Sequence, residues 1–123
     1  MKVTFNGVGL VIGSVEELSL ALSQFDQQSQ FELWVSTQDG PAIAMLRNGE
    51  HACLMYLRFN GDSGVVTQGQ RDTPGTITYT LSNDEVTELP LAWCIDLEQS
   101  YKAVAYFFVN DGARYNSVCW QKA

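Results

Sequence analysis

Apolar and polar positions along the chain change period several times, and each change marks an element. Val3 to Phe5 reads as a short strand ended by Asn6-Gly7. Val8 to Ile12 is apolar but interrupted by Gly9 and stopped by Gly13. Ser14 then opens an S-x-x-E capping box with Glu17, and Val15, Leu18, Leu22 and Phe25 recur at helical spacing to a stop near Asp26. From Phe31 to Thr37 the period falls to two. Phe31, Leu33 and Val35 share one face of this strand, and Trp34 takes the other. After an Asp39-Gly40-Pro41 turn come a strand over Ala42 to Leu46, an Asn48-Gly49 hairpin signal, and a run from His51 to Phe59 with few polar breaks. That run predicts a central strand buried on both faces.

Further on, Val65 to Thr67 reads as a brief strand, and Gln68 to Gly75 as the most loop-like stretch of the middle. Ile77 to Leu81 alternates cleanly, Ser82-Asn83-Asp84 turns the chain, and Glu85 to Leu89 returns. The last third repeats the helix signature. Asp96 serves as N-cap, with Gln99 placed to reach back and close a second box. Leu97, Tyr101, Val104, Ala105 and Phe108 form its apolar stripe, and Asn110-Asp111-Gly112 stops it, with Gly112 as the left-handed residue. Val118-Cys119-Trp120 closes the chain as a strand, its Trp anchored over this helix. A hairpin series flanked by two helices predicts an α+β fold: an antiparallel β-sheet meander with two main helices packed on one face.

Composition narrows the classes. The 123 residues fit one domain over 1–123, which buries roughly two thirds of its unfolded surface. An apolar fraction of 46% against 17% charged residues belongs to a globular chain. A formal net charge of −7 argues against direct nucleic-acid binding, which needs clustered Lys and Arg, and permits a basic partner, although mild acidity also serves solubility alone. No apolar window is long enough to span a membrane, and no secretory leader is visible, so a cytoplasmic location is expected. Cys53, Cys94 and Cys119 lie far apart among apolar neighbours and read as buried free thiols.

Catalytic and cofactor signals are sparse. His51 is the single histidine and follows an Asn-Gly turn, where an exposed hairpin residue is expected. No spacing of His and Cys matches a metal site, and Gly7, Gly9 and Gly13 do not form a phosphate-binding loop. No cofactor, metal or catalytic residue is therefore assigned. One charge feature stands out. From Asp72 to Tyr101 there is no basic residue, while Asp72, Asp84, Glu85, Glu88, Asp96 and Glu98 fall there. Asp96 has its own use as a cap. Loop placement and charge thus select Arg71, Asp72, Asp84, Glu85 and Glu88 as partner-binding candidates, although acidic residues also protect a solvated sheet edge. Trp34, Trp93 and Trp120 read as core by default, with Trp34 on either the helix side or a contact patch.

The ordered set Ser14-Val15-Glu16-Glu17-Leu18, Phe31-Glu32-Leu33-Trp34-Val35, Asn48-Gly49, Ile77-Thr78-Tyr79, Ile95 to Phe108, Asp111-Gly112-Ala113-Arg114-Tyr115 and Val118-Cys119-Trp120 resembles a family of bacterial immunity proteins. The family belongs to polymorphic toxin systems and is commonly encoded beside nucleic-acid deaminase toxins. The resemblance spans roughly residues 14–121, with Tyr115 standing where the family's usual form has Pro. It implies a non-enzymatic inhibitor that binds a cognate, basic toxin domain and occludes its active site. A small enzyme, and a small-ligand-binding or homo-oligomeric α+β module, are the readings from other classes.

Overall fold

The computed structural model describes residues 1–38, 40–70 and 72–123. In chain order the elements are β1 (Lys2–Phe5), β2 (Val8–Leu10), α1 (Val15–Phe25), β3 (Gln30–Ser36), β4 (Ala42–Asn48), β5 (His51–Leu57), β6 (Val65–Gln68), β7 (Thr76–Thr80) and β8 (Val86–Pro90). A 3-10 turn (Leu91–Trp93), α2 (Leu97–Val109) and β9 (Cys119–Lys122) follow. Seven strands form one antiparallel sheet in the order β2-β1-β3-β4-β5-β6-β9. The architecture is the expected α+β, with β4 in the middle of the sheet and β5 an interior strand beside it, flanked by β4 and β6.

Register follows from which residues can be buried together. Val3, Val35, Ile43 and Tyr56 lie in one row across the sheet, and Phe5, Leu33, Met45 and Leu54 in the next. Both rows lie in one cluster with Leu18 and Phe25 of α1 and Ala103, Val104 and Phe107 of α2. Each such side chain is worth roughly 1.5–3 kcal/mol when fully buried, so a one-residue slip that turned Leu33 and Val35 outward is strongly disfavoured. The Phe5 and Phe25 rings stack at 4.0 Å and fix α1 against the sheet edge.

The helix starts match expectation, with differences in detail. Ser14 Oγ accepts from the Glu17 amide at 3.1 Å, and the Glu17 carboxylate accepts from the Gly13 amide at 3.2 Å. Asp96 Oδ1 accepts from the Gln99 amide at 2.7 Å. The Gln99 side chain does not close the second box; Ser100 Oγ donates to the Asp96 carbonyl at 2.8 Å instead. The buried stripe of α2 is Ser100, Ala103, Val104 and Phe107, rotated from the predicted one. Leu97, Tyr101 and Phe108 pack at its margin, and Ala105 is not among the buried residues. The helix stop uses two left-handed residues, Asp111 (φ 54°) and Gly112 (φ 90°). The Gly112 amide donates back to the Phe107 carbonyl at 2.8 Å, and Tyr56 Oη donates to the Gly112 carbonyl at 2.7 Å. Trp120 packs as anticipated, its ring 6.1 Å from that of Tyr56 and its Nε1 donating to the Tyr115 carbonyl.

The cysteine expectation is corrected in part. Cys53 is buried, Cys94 half-buried and Cys119 exposed, because Cys119 begins the edge strand β9. All three are free thiols. None of the three Trp residues is fully buried.

The β7–β8 hairpin leaves the meander. Its two strands pair only with each other. The hairpin lies on the sheet face opposite the helices, where β7 crosses the Gln30–Asn48 end of the strands. Asn48 Nδ2 donates to the Thr78 carbonyl at 2.7 Å, and Thr80 Oγ1 donates to Gln30 Oε1 at 3.2 Å. Fully buried Tyr79 places its hydroxyl 3.0 Å from Cys94 Sγ. The segment that leads into the hairpin needs Gly69. Its amide donates to the Ala92 carbonyl at 2.7 Å, and a Cβ there would overlap the Cys94 carbonyl.

Candidate functional site

The acidic candidates are all exposed but do not form one patch. Asp84 sits at the hairpin tip with φ 65°, and the Glu85 amide donates to Asn83 Oδ1 at 3.1 Å. Glu88 lies two rungs along β8, opposite Thr78, on the face turned away from the sheet. Asp72 precedes β7, a strand length of about 17 Å from the tip. Asp84, Glu85 and Glu88 are therefore together, and Asp72 stands apart. Arg71 lies outside the described residues.

The tip is held by one carboxylate. Glu32 Oε1 accepts from the Ser82 amide at 3.1 Å, while Oε2 accepts from Trp34 Nε1 at 3.2 Å. Partial burial raises the Glu32 pKa, but bonds from Ser82 and Trp34 outweigh it and hold the group below its ordinary 4.5. The Glu32 backbone joins the same junction, its amide donating to Asn6 Oδ1 at 2.9 Å and its carbonyl accepting from the Asn6 amide at 2.8 Å.

Beside the hairpin, half of this sheet face is open. An open cleft of about 810 Å³ has Trp34, Ser36, Ala42 and Leu57 among its lining, with Lys2 and Phe59 at its margin. Trp34 also borders a second, largely apolar cavity of about 230 Å³ beneath the hairpin, where Thr87 and Leu89 face Ala44, Met55 and Val66. Sequence alternation had put Trp34 on the far side of β3. The further signal for a cleft was the small Ala42 and Ala44 at the same face of β4, which leave the Trp34 ring only half-buried.

Reactive chemistry finds little support. Burial pushes the Cys53 thiol up to about 12, and burial also raises that of Cys94, so both are held as thiols rather than thiolates. His51 is exposed at the start of β5. Among the described residues no group of three or more His, Cys, Asp or Glu is placed to hold a metal ion. No helix among them is long and apolar enough to cross a membrane. What the site offers is shape and charge: an open apolar floor, an acidic hairpin and a rigid sheet carrying both.

No curated protein matches the chain. A family model for the immunity protein Imm1 matches residues 6–122, which takes in every element from β2 to β9 and begins just after β1. Two helices on one face and a hairpin over half of the other are thus how this sequence builds a fold whose pattern extends along nearly its whole length: the chain belongs to the Imm1 immunity protein family.

Proposed function

We propose that this protein binds a toxin made by the same bacterial cell and neutralises it by covering its active site, the toxin being a nucleic-acid deaminase. The observation that carries this reading is the family match over residues 6–122. The charge balance supports the partner's chemistry. A protein of formal charge −7 is attracted to a domain that handles nucleic acid and is therefore basic. Occlusion is sufficient for inhibition, because a deaminase must admit a flipped or single-stranded base into a snug pocket. Asp84, Glu85 and Glu88 on the hairpin, together with Asp72 and Arg71, are the contacts proposed for capture. The protein acts in the cytoplasm, without cofactor or catalysis of its own.

Co-expression with the toxin domain encoded beside the gene tests this directly. Cell survival and co-elution of the two proteins as a complex are expected. Death of the cells with no complex formed would overturn the reading.

A further inference from the structure

The outer edge of β8 and the cleft beside it lie on one face of the sheet and together fit one kind of guest. In the β7–β8 ladder, the Leu81 amide donates to the Glu85 carbonyl at 2.7 Å and the Leu91 amide to the Gly75 carbonyl at 3.1 Å. With the register Ile77–Leu89 and Tyr79–Thr87, residues 85, 87, 89 and 91 direct their backbone groups toward β7. Val86 and Glu88 therefore turn their amides and carbonyls to the opposite edge, where among the described residues no strand pairs with them. Because β7 is fastened at the Gln30–Asn48 end and Thr87 and Leu89 lie over Ala44 and Met55, that edge lies toward the open half of the sheet. The floor there is Trp34 and the row Lys2, Ser36, Ala42 and Leu57, in the cleft of about 810 Å³, with its apolar part at Trp34, Ala42 and Leu57.

We infer that β8 accepts an extended segment of the partner protein as a third strand of the hairpin, laid across this floor. The inference rests on the toxin-binding reading and deepens it by naming the surface and the mode. Strand alternation sets the chemistry of the guest. Its inward side chains continue the row of Thr87 and Leu89, so they are apolar and rest on Trp34 and Leu57. Its outward side chains continue the row of Val86 and Glu88, beside Asp84 and Glu85 at the tip, so they include Lys or Arg. An alternating apolar and cationic strand of a basic protein meets both demands, backbone bonds supplying affinity and the floor and Glu88 supplying selection. Val86, 65% exposed on a strand edge that no charge blunts at that position, is then covered.

The test uses the full chain and the adjacent toxin domain made inactive by substitution of its catalytic residue, with the dissociation constant measured by titration. Glu88→Pro removes an edge amide that the hairpin itself does not use, and Ala42→Arg raises a charged side chain from the floor without touching the hairpin. Each is expected to weaken binding by about tenfold or more while the thermal midpoint stays near that of the parent. Leu20→Arg, on the exposed side of α1, is expected to bind like the parent. Parent-like binding by both test variants overturns the strand-addition mode and leaves toxin binding standing. Loss in only one of them also overturns it, since a segment between edge and floor needs both. Failure of the parent protein to bind removes the toxin-binding reading, and this inference with it. Self-association that Glu88→Pro abolishes would assign the edge to a second copy instead.

Discussion

Arg47 shows how much one side chain can hold at the residue scale. It is a cation with only 8% of its surface exposed, on a face otherwise given to the core. Its Nη1 donates to the Asp26 carbonyl at 2.9 Å, to Asp26 Oδ1 at 3.0 Å and to the Gln28 carbonyl at 2.9 Å, while Nε reaches the Gly49 carbonyl at 3.0 Å. Tyr101 Oη donates to the same Asp26 oxygen at 2.8 Å, so α1, α2 and the β4–β5 turn meet here. Arg47→Met keeps the aliphatic length and strips the donors from three carbonyls. Charge-assisted bonds of this kind are worth about 1.5–3 kcal/mol each, but Asp26 is half-exposed and rehydrates, so a net loss of about 3 kcal/mol is expected by urea unfolding. A loss under about 1 kcal/mol would mean that water replaces the guanidinium without penalty. Nothing in the sequence announced this. Arg47 sits one residue before an Asn-Gly turn, and apart from the Gly49 carbonyl its acceptors, on Asp26 and Gln28, come from about twenty positions earlier, which local pattern does not encode.

Individual elements were legible where local physics decides them. Ser14 and Asp96 cap their helices in place because an N-cap side chain satisfies amides within its own first turn. Alternation from Phe31 to Val35 assigned the right residues to the core. It also separated β7 from β8 at Ser82-Asn83-Asp84, yet could not say which layer the hairpin joins, since an alternating strand fits a sheet edge or a sheet face equally well. The layer is set by residues distant in sequence: Asn48 bonds Thr78, Gln30 bonds Thr80, and the tip amide of Ser82 donates to Glu32, a carboxylate of β3 also held by Trp34. That bond set carries a pH signature. The folded pKa lies below the ordinary 4.5, so the stabilisation is fully present above 4.5 and is lost as pH falls through the folded value. Hydrogen exchange at the Ser82 amide is expected to lose protection as pH falls below the ordinary carboxylate value, ahead of the sheet strands. In Glu32→Gln the local acid step should be absent. Loss of Ser82 and β5 protection together, at one pH, would show instead that the hairpin opens only with the whole fold.

Charge belongs to the whole molecule, and there it predicts rate more than affinity. The chain carries 14 acidic residues against 7 Lys and Arg, and the described ion pairs engage Arg47, Arg58 and Lys102 in local contacts, each with a carboxylate of its own. Asp84, Glu85 and Glu88, which make no ion pair among the described residues, project from the hairpin beside the open floor, so a basic partner approaching that face meets a field that pulls it toward the edge of β8. Reversal of all three to Lys removes most of that field while leaving the Glu32–Ser82 clasp and the buried Tyr79 in place. The variant is expected to fold with a thermal midpoint close to the parent's, and to associate with a basic toxin domain about tenfold more slowly at low salt. Raising ionic strength should bring the two rates together, because screening shortens the reach of the charges to about 8 Å at physiological salt. An association rate unchanged at low salt would remove the acidic hairpin from the capture step. The apolar floor around Trp34 would then be left to determine how long the complex lasts, without a role for the hairpin in how fast it forms.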